Sequence, residues 1–207
     1  MQDRQTESTW SHITGRAIDG QAKGAQLEKL ASIETTWSRW RAEHPETSVL
    51  KKSEVVRSSH YQSYFENPDR LGLFRAQWLM DRMPGKTLVF GATVGPHAVA
   101  ATDGAFEEGG LVNVELGGTP VVMSRGDDGG VRGWVANIEG GELKLVVNSK
   151  TGETVDDTGS EWDLVSGRCV AGPNVGSILE TVAVTPIYWF AWSNYYPNTK
   201  VVDRPAP

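Results

Sequence analysis

The sequence is poor in cysteine and in long apolar runs. Its single cysteine, Cys169, excludes an internal disulfide and any CxxC zinc or redox site. No apolar run approaches the roughly 18 residues of a membrane-spanning helix. The opening residues, MQDRQTESTW, lack the basic and then apolar pattern of a signal peptide. From these absences we expect no membrane span and no export address in the chain.

Basic residues are also in the minority. The 207 residues include 20 Lys and Arg against 26 Asp and Glu, a formal net charge of -6. The only basic clusters, Arg39/Arg41 and Lys51/Lys52, are too short to form the charged face that a phosphate backbone requires. The composition therefore argues against a nucleic-acid partner.

Motifs for common catalytic and metal sites are missing as well. The four histidines (His12, His44, His60, His97) form no HxH, HxxxH or HExxH spacing. The acidic loops 127–130 and 156–157 lack the spacing of an EF-hand, and a solvated turn is the simpler interpretation. Nucleophile elbows and phosphate-binding glycine loops are absent too. No cofactor is predicted, although calcium or a transition metal is left open.

The chain does contain one sequence pattern that occurs twice. Residues 6–50 align without a gap to residues 158–202 at an offset of 152, and six of the eight tryptophans fall in register. Chance at ordinary residue frequencies would give about three identical pairs. The pattern is typical of an internal duplication. Identical pairs include Thr6/Thr158, Ser8/Ser160, Trp10/Trp162, Gly15/Gly167, Arg16/Arg168, Gly20/Gly172, Gly24/Gly176, Leu27/Leu179, Glu28/Glu180, Trp37/Trp189, Trp40/Trp192, Pro45/Pro197 and Thr47/Thr199.

Each copy predicts a β-β-α-β unit. The helix of the second copy is expected to start with Thr185 as N-cap and Pro186 at its first position, and to end before Pro197. Returning strands are expected over Thr47–Leu50 and Thr199–Val202. Since tryptophans kept in both copies at helical spacing are usually core residues, we expect Trp37, Trp40, Trp189 and Trp192 to be buried.

The region between the copies predicts a surface wrap over 51–85 and a β meander over 86–155. Short β-rich runs in the meander are separated by glycine turns every eight to twelve residues. The fold class we predict is α+β and predominantly β. It consists of one domain, 1–207, in which two β-β-α-β repeats pack with a central antiparallel meander or barrel.

Several segments carry a family resemblance. The motifs TxSxW, TGRAxxG, SSHYQSY and TGSxWDLxSGRxxxGP, with the later FAW and YPNT, resemble the uncharacterised family known as domain of unknown function 3179 over essentially the whole chain. The resemblance implies an extracytoplasmic location. It also implies that the usual N-terminal segment, with a Cys-Pro-Leu-Cys or similar motif, is lacking here. No activity comes with it.

Candidate site residues come from several separate observations. His44 lies at the end of the tryptophan helix, where the second copy has Tyr196, and His97 follows a probable turn; these are the catalytic candidates. Arg16 and Arg168 either pair with Glu28 and Glu180 or converge on an anionic ligand. The remaining ligand-binding candidates are Trp78, Trp134 and Tyr196, and the first two are tryptophans without a repeat partner.

We therefore expect a binding or scaffold protein of the cell envelope, with an aromatic-rich cleft between the two repeats. A small molecule or a glycan would be the ligand. The alternative is a hydrolase or metal-assisted enzyme that uses His44 or His97 with a carboxylate such as Glu43 or Asp103. Substitution of the histidines would separate the two hypotheses.

Overall fold

The computed structural model describes residues 1–51, 61–72, 82–106, 110–139 and 141–204. The chain is predominantly β, with several antiparallel sheets and few helices. The described strands are β1 (Thr9–Trp10), β2 (Ala17–Asp19), β3 (Leu88–Val94), β4 (His97–Thr102), β5 (Leu111–Leu116), β6 (Thr119–Arg125), β7 (Val131–Val135), β8 (Asn137–Ile138), β9 (Gly141–Glu142), β10 (Val146–Val147), β11 (Thr154–Val155), β12 (Glu161–Asp163), β13 (Arg168–Ala171), β14 (Thr181–Val182), β15 (Val184–Tyr188) and β16 (Lys200–Val202). The helices are α1 (Trp37–Glu43), α2 (Gln62–Glu66) and α3 (Trp189–Tyr195), with a 3-10 turn at Asp103–Phe106.

Within the predicted meander, β3 to β7 are consecutive antiparallel strands divided between two four-stranded sheets, and β8 to β11 belong to two further sheets. One sheet has the order β14-β7-β6-β5 and the other the order β15-β3-β4-β16. Gly117 and Gly118 make the tight β5–β6 turn, with positive φ angles of 60° and 85° that favour glycine. Alternate side chains from both sheets fill one core, which includes Val99, Val121 and Met123.

In the second sheet, the β3–β4 hairpin has a strand from the C-terminal part of the chain on each of its edges. Strand β15 pairs antiparallel with β3, and β16 pairs in parallel with β4. Helix α3 connects these two strands across one face of the β3–β4 hairpin, where Trp189 and Trp192 are fully buried. Because of this arrangement, the two indoles form a separate core with Val89 and Ala100.

A third core lies beneath the sheet β10-β11-β12-β13. Trp162, Leu145 and Trp134 are buried there. Cys169 is buried in the same cluster, as its pairing with Ala17 in the repeat predicts.

The two terminal parts of the chain contain matching local geometry. We call residues 6–50 the first segment and residues 158–202 the second segment. Gly20 and Gly172 have φ angles of 90° and 92°, and a Cβ on either would come 2.6 Å from the Cα of Ser8 or Ser160. Only glycine fits this close approach of two backbones.

The helices at the end of each segment also match. The indole of Trp40 donates to Thr47 Oγ1 at 2.9 Å, and that of Trp192 donates to Thr199 Oγ1 at 3.0 Å. Each helix is followed by a residue with φ near -127° and ψ of 68°, whose N–H donates back to the tryptophan carbonyl. These bonds are made within one segment, so they form whether or not the segment packs against anything else.

Burial is where the segments differ. Helix α1 contains no buried residue, and Trp37 is 50% exposed, whereas Trp189 is 0% exposed. The expectation that Trp37 belongs to the core is therefore wrong. The returning strand predicted over Thr47–Leu50 is also wrong, because no described strand lies beside it, whereas β16 forms against β4.

The start of α3 differs from the prediction. Thr185 and Pro186 belong to strand β15, and the helix begins at Trp189. Pro186 pairs with Phe90 on an edge strand, where the missing N–H of proline can face away from the sheet. A Thr-Pro pair fits an edge strand as well as a helix start, and pairing with β3 decided the outcome.

Candidate functional site

Two of the predicted site residues, His97 and Tyr196, lie in the same cleft. This His97 cleft, of about 400 Å³, is lined by His97, Glu115, Gly117, Tyr196 and Lys200 among others. It lies where the β5–β6 turn and the start of β4 meet the end of α3. The sequence separates the two residues by almost a hundred positions, and the parallel pairing of β16 with β4 brings them together.

Packing fixes the position of both aromatic rings in the His97 cleft. The His97 ring lies so close over Gly117 that a Cβ there would come 2.2 Å from the His97 Cδ2. The Tyr196 ring stacks on Trp192 with centroids 4.3 Å apart, and its hydroxyl accepts a hydrogen bond from Lys29 Nζ at 3.2 Å. The cleft therefore presents the packed imidazole of His97 and phenol of Tyr196 together with the exposed carboxylate of Glu115 and ammonium group of Lys200.

His44 occupies the position in the first segment that Tyr196 occupies in the second. Its ring stacks on Trp40 with centroids 4.0 Å apart, and the residue is exposed at the end of α1. It does not line the His97 cleft, so the two catalytic candidates are not brought together in that site.

A second cleft, of about 410 Å³, lies between the first segment and the meander. This Arg125 cleft is lined by Thr35, Phe90, Arg125 and Pro186 among others. Glu34 also lines it, and Glu34 and Pro186 are equivalent positions in the 152-residue alignment. The cleft is thus found where the two segments meet, held there in part by a hydrogen bond from Thr35 Oγ1 to the carbonyl of Asp128 at 3.3 Å.

Arg125 packs against two phenylalanine rings that contact each other edge to face. Its guanidinium carbon lies 5.0 Å from the ring centroid of Phe90 and 4.8 Å from that of Phe106, within the range of cation–π attraction. Its Nη2 donates to Asp103 Oδ1 at 2.6 Å, and the Asp103 side chain is 72% exposed. Its Nε is buried and has no hydrogen-bond partner among the residues that the structure describes. Such a donor costs about 1–3 kcal/mol, so an acceptor that reached it would be favoured.

The neighbouring acidic turn is already neutralised. Asp128, in the β6–β7 turn, pairs with Arg132 at 2.6 Å, and both side chains are nearly buried. The hydrogen bond from Arg132 lowers the pKa of Asp128 and raises the pKa of Arg132. Because Asp128 is engaged by Arg132, the described carboxylates of this cleft that are left to balance the charge of Arg125 are the exposed Asp103 and Glu34.

A smaller cavity of about 220 Å³ adjoins the Arg125 cleft and shares Ser32 and Val131 with it. Ile33 and Trp134 line this cavity. Trp134 is a core residue whose indole donates to the carbonyl of Leu164 at 3.1 Å. Trp134 was predicted to bind a ligand, but as a core residue that is 6% exposed it offers little surface to this cavity.

The remaining predicted ligand residues lie elsewhere. Arg16 and Arg168 are both exposed, and neither lines the two clefts. Within the described ranges, neither pairs with Glu28 or Glu180 at salt-bridge distance. Trp78 lies outside the described residues.

Asp156, which lies just before the second segment, has a structural role. Burial raises the pKa of Asp156, but hydrogen bonds from Thr158, Trp162 and Asn174 outweigh this and lower it to about 2. The indole of Trp162 donates to Oδ2 at 2.9 Å. Asp3 accepts the equivalent bond from Trp10 in the first segment. The TxSxW motif and the aspartate before it therefore form a local hydrogen-bond network, in which both carboxylate oxygens of Asp156 already accept hydrogen bonds.

No group of three or more His, Cys, Asp or Glu residues that could hold a metal ion is found in the described part of the chain. Among those same residues, no helix is both long enough and apolar enough to cross a membrane.

Comparison with known proteins gives one result. A family model described as Protein of unknown function (DUF3179) matches residues 1–199, so the chain belongs to that family. No curated protein and no solved structure matched the chain. The family assigns no activity, and any function must be argued from the clefts.

Proposed function

We propose that this protein is a binding or scaffold module of the cell envelope, built from two copies of one folding unit, with its ligand cleft where the copies meet. The matched glycines, indole hydrogen bonds and helix ends of the two segments support the duplication. The envelope location rests on the family resemblance.

The buried Nε of Arg125 is the observation that carries the binding proposal. An arginine packed against Phe90 and Phe106 and paired with Asp103 is pre-oriented, so a ligand need not order it on binding. A ligand that supplies an acceptor to this Nε would have to be small enough for a cleft of about 410 Å³. Carboxylates at the rim disfavour a dianion. The ligand class that fits is a neutral or singly charged, oxygen-rich small molecule such as a glycan, with an apolar face toward Phe90.

A titration series tests this proposal. Isothermal titration with neutral oligosaccharides, uronic acid oligosaccharides and sugar phosphates should show saturable binding of the first or second group and weaker binding of the third. Arg125→Gln should weaken binding at least about tenfold, because it removes both the cation and the buried donor. Arg70→Gln, a change of an exposed arginine outside the cleft, is the matched control. An unchanged affinity in Arg125→Gln would exclude this cleft.

The sequence-based candidates can be tested in the same assay. Arg16→Gln and Arg168→Gln should leave the affinity unchanged, since both residues lie outside the cleft. A loss with either variant would favour the two arginines as the anion site instead.

The His97 cleft supports a second candidate function, a hydrolase with His97 as acid or base near Glu115 and Tyr196. In that case turnover should fall by about 10² or more in His97→Ala. His44→Ala should leave turnover unchanged because His44 lies outside this cleft. A binding module should keep its ligand affinity in both variants.

A further inference from the structure

The second segment grips a β-hairpin from three sides. Strand β15 pairs with one edge, β16 pairs with the other, and α3 lies across the face between them. Trp189 and Trp192 are 0% and 1% exposed as a result. The strand–helix–strand part of this segment, residues 184–202, thus acts as a clasp for the β3–β4 hairpin.

The gripped face of that hairpin combines small residues with Val89. Gly91 lies under Trp192, and a Cβ there would come 2.4 Å from the Trp192 ring. Ala98 and Ala100 complete the surface beneath the indoles. Any larger side chain at Gly91 would displace the ring, so the clasp selects a hairpin with glycine at its centre.

The first segment contains the same clasp over residues 32–50. Trp40 makes the same bond to Thr47 that Trp192 makes to Thr199. The ring after each helix stacks on the tryptophan at matching geometry, with centroids 4.0 and 4.3 Å apart and interplanar angles of 37° and 39°. The shape of this clasp is therefore fixed without a gripped hairpin.

Within the described residues, no strand pairs with either edge of the first clasp, and its helix face is exposed; the side chains of Ile33 and Thr35 face the meander of the protein itself. Residues 32–36 and 48–50, the equivalents of β15 and β16, pair with no described strand. Exposure alternates over 32–36 as in an extended edge, with Ile33 and Thr35 half-buried. On the helix Trp37 is 50% exposed, and Val49 and Leu50 beyond it are 64% and 88% exposed.

We propose that the first clasp binds a β-hairpin of another polypeptide, in the way that the second clasp holds β3–β4. The partner would add one strand antiparallel to residues 32–36 and one strand parallel to 48–50, and would place a glycine under Trp40. A second folded copy of this chain does not fit, because its own β3–β4 hairpin is already paired on both edges.

The hairpin of the protein itself supplies the probe. A fluorescein-labelled peptide of residues 86–103, KTLVFGATVGPHAVAATD, carries the gripped face in full. Titration of the whole protein into this peptide should give a saturable rise in anisotropy with one peptide per chain. The same peptide with Gly91→Leu should bind at least about tenfold more weakly, because its side chain would meet the indole.

Chain variants locate the binding surface. Trp37→Ser should weaken peptide binding at least about tenfold, and circular dichroism should show an unchanged fold because Trp37 packs in no core. The matched control is Phe65→Ser on α2, another exposed aromatic residue on a short helix, which should bind the peptide as the parent protein does. Arg16→Gln, a change of an exposed arginine that lines neither cleft, should also bind the peptide normally.

Three outcomes would overturn the inference. The first is no binding of the parent peptide at concentrations where the protein stays folded and monomeric. The second is equal binding of the glycine and leucine peptides, which would indicate non-specific adhesion. The third is a dimer in sedimentation experiments, without peptide, that Trp37→Ser dissociates, since the occupant would then be a second copy.

Discussion

The first and second segments contain the same local hydrogen bonds in two different settings. In the second segment the tryptophan helix lies in a core, and in the first its equivalent lies on the surface. Matching dihedral angles at the ends of α1 and α3 show that the unit takes its shape from bonds within itself. Tertiary packing decides only whether the flanking residues become strands.

The sharpest test of this difference is removal of one indole from each segment. Trp189→Ala should lower the free energy of unfolding by about 3–5 kcal/mol, since it leaves a cavity in a closed core. Trp37→Ala should cost less than about 1 kcal/mol because the side chain is half exposed. Urea denaturation followed by circular dichroism measures both. Similar losses would mean that α1 is buried in solution.

Substitution of the matched glycine should destabilise the two segments equally, in contrast to removal of the indoles. Gly172→Ala and Gly20→Ala place a methyl group at the same 2.6 Å clash and at the same positive φ. Each should cost about 2–3 kcal/mol within its own segment. Hydrogen exchange resolved by segment measures the two losses separately, with Gly24→Ala as control for φ alone because nothing lies within 4 Å of its Cβ position. Unequal losses of stability in the two variants would mean that the two glycine turns are not equivalent.

Acid should weaken the second segment through Asp156. Its pKa of about 2 in the folded chain lies below its usual value of 3.8, so ionised Asp156 stabilises the fold at higher pH. This contribution, about 2 kcal/mol, is complete above about pH 5 and is lost progressively as pH falls through 3.8 and then through the folded pKa of about 2. Asp156→Asn should lower stability at pH 7 and flatten the dependence between pH 4 and 2. If both proteins show the same acid dependence, other carboxylates are responsible.

Sequence reasoning predicted the parts of the fold that depend on local patterns. Alternating runs with glycine turns located β3 to β7, and the tryptophan spacing located α1 and α3. It failed where a distant partner decides the structure. Residues 48–50 have strand-forming side chains but no described neighbour, whereas Lys200–Val202 become β16 because β4 is available.

The candidate site was less predictable for the same reason. Arg125 looks like an ordinary outward-facing strand residue, and its importance depends on Phe90 and Phe106, which reach it from other elements. His97 and Tyr196 were named separately, and only the parallel strand pairing shows that they share a cleft. Trp134 was singled out because it lacks a repeat partner, yet its ring packs under Gly167 of the second segment.

The closure of the β3–β4 hairpin by α3 and β16 has a consequence during synthesis. The hairpin leaves the ribosome roughly a hundred residues before the helix that covers Gly91, so at ordinary elongation rates its small-residue face stays uncovered for several seconds or longer. Nascent chains stalled before position 189 should therefore engage holding chaperones that the completed protein no longer binds.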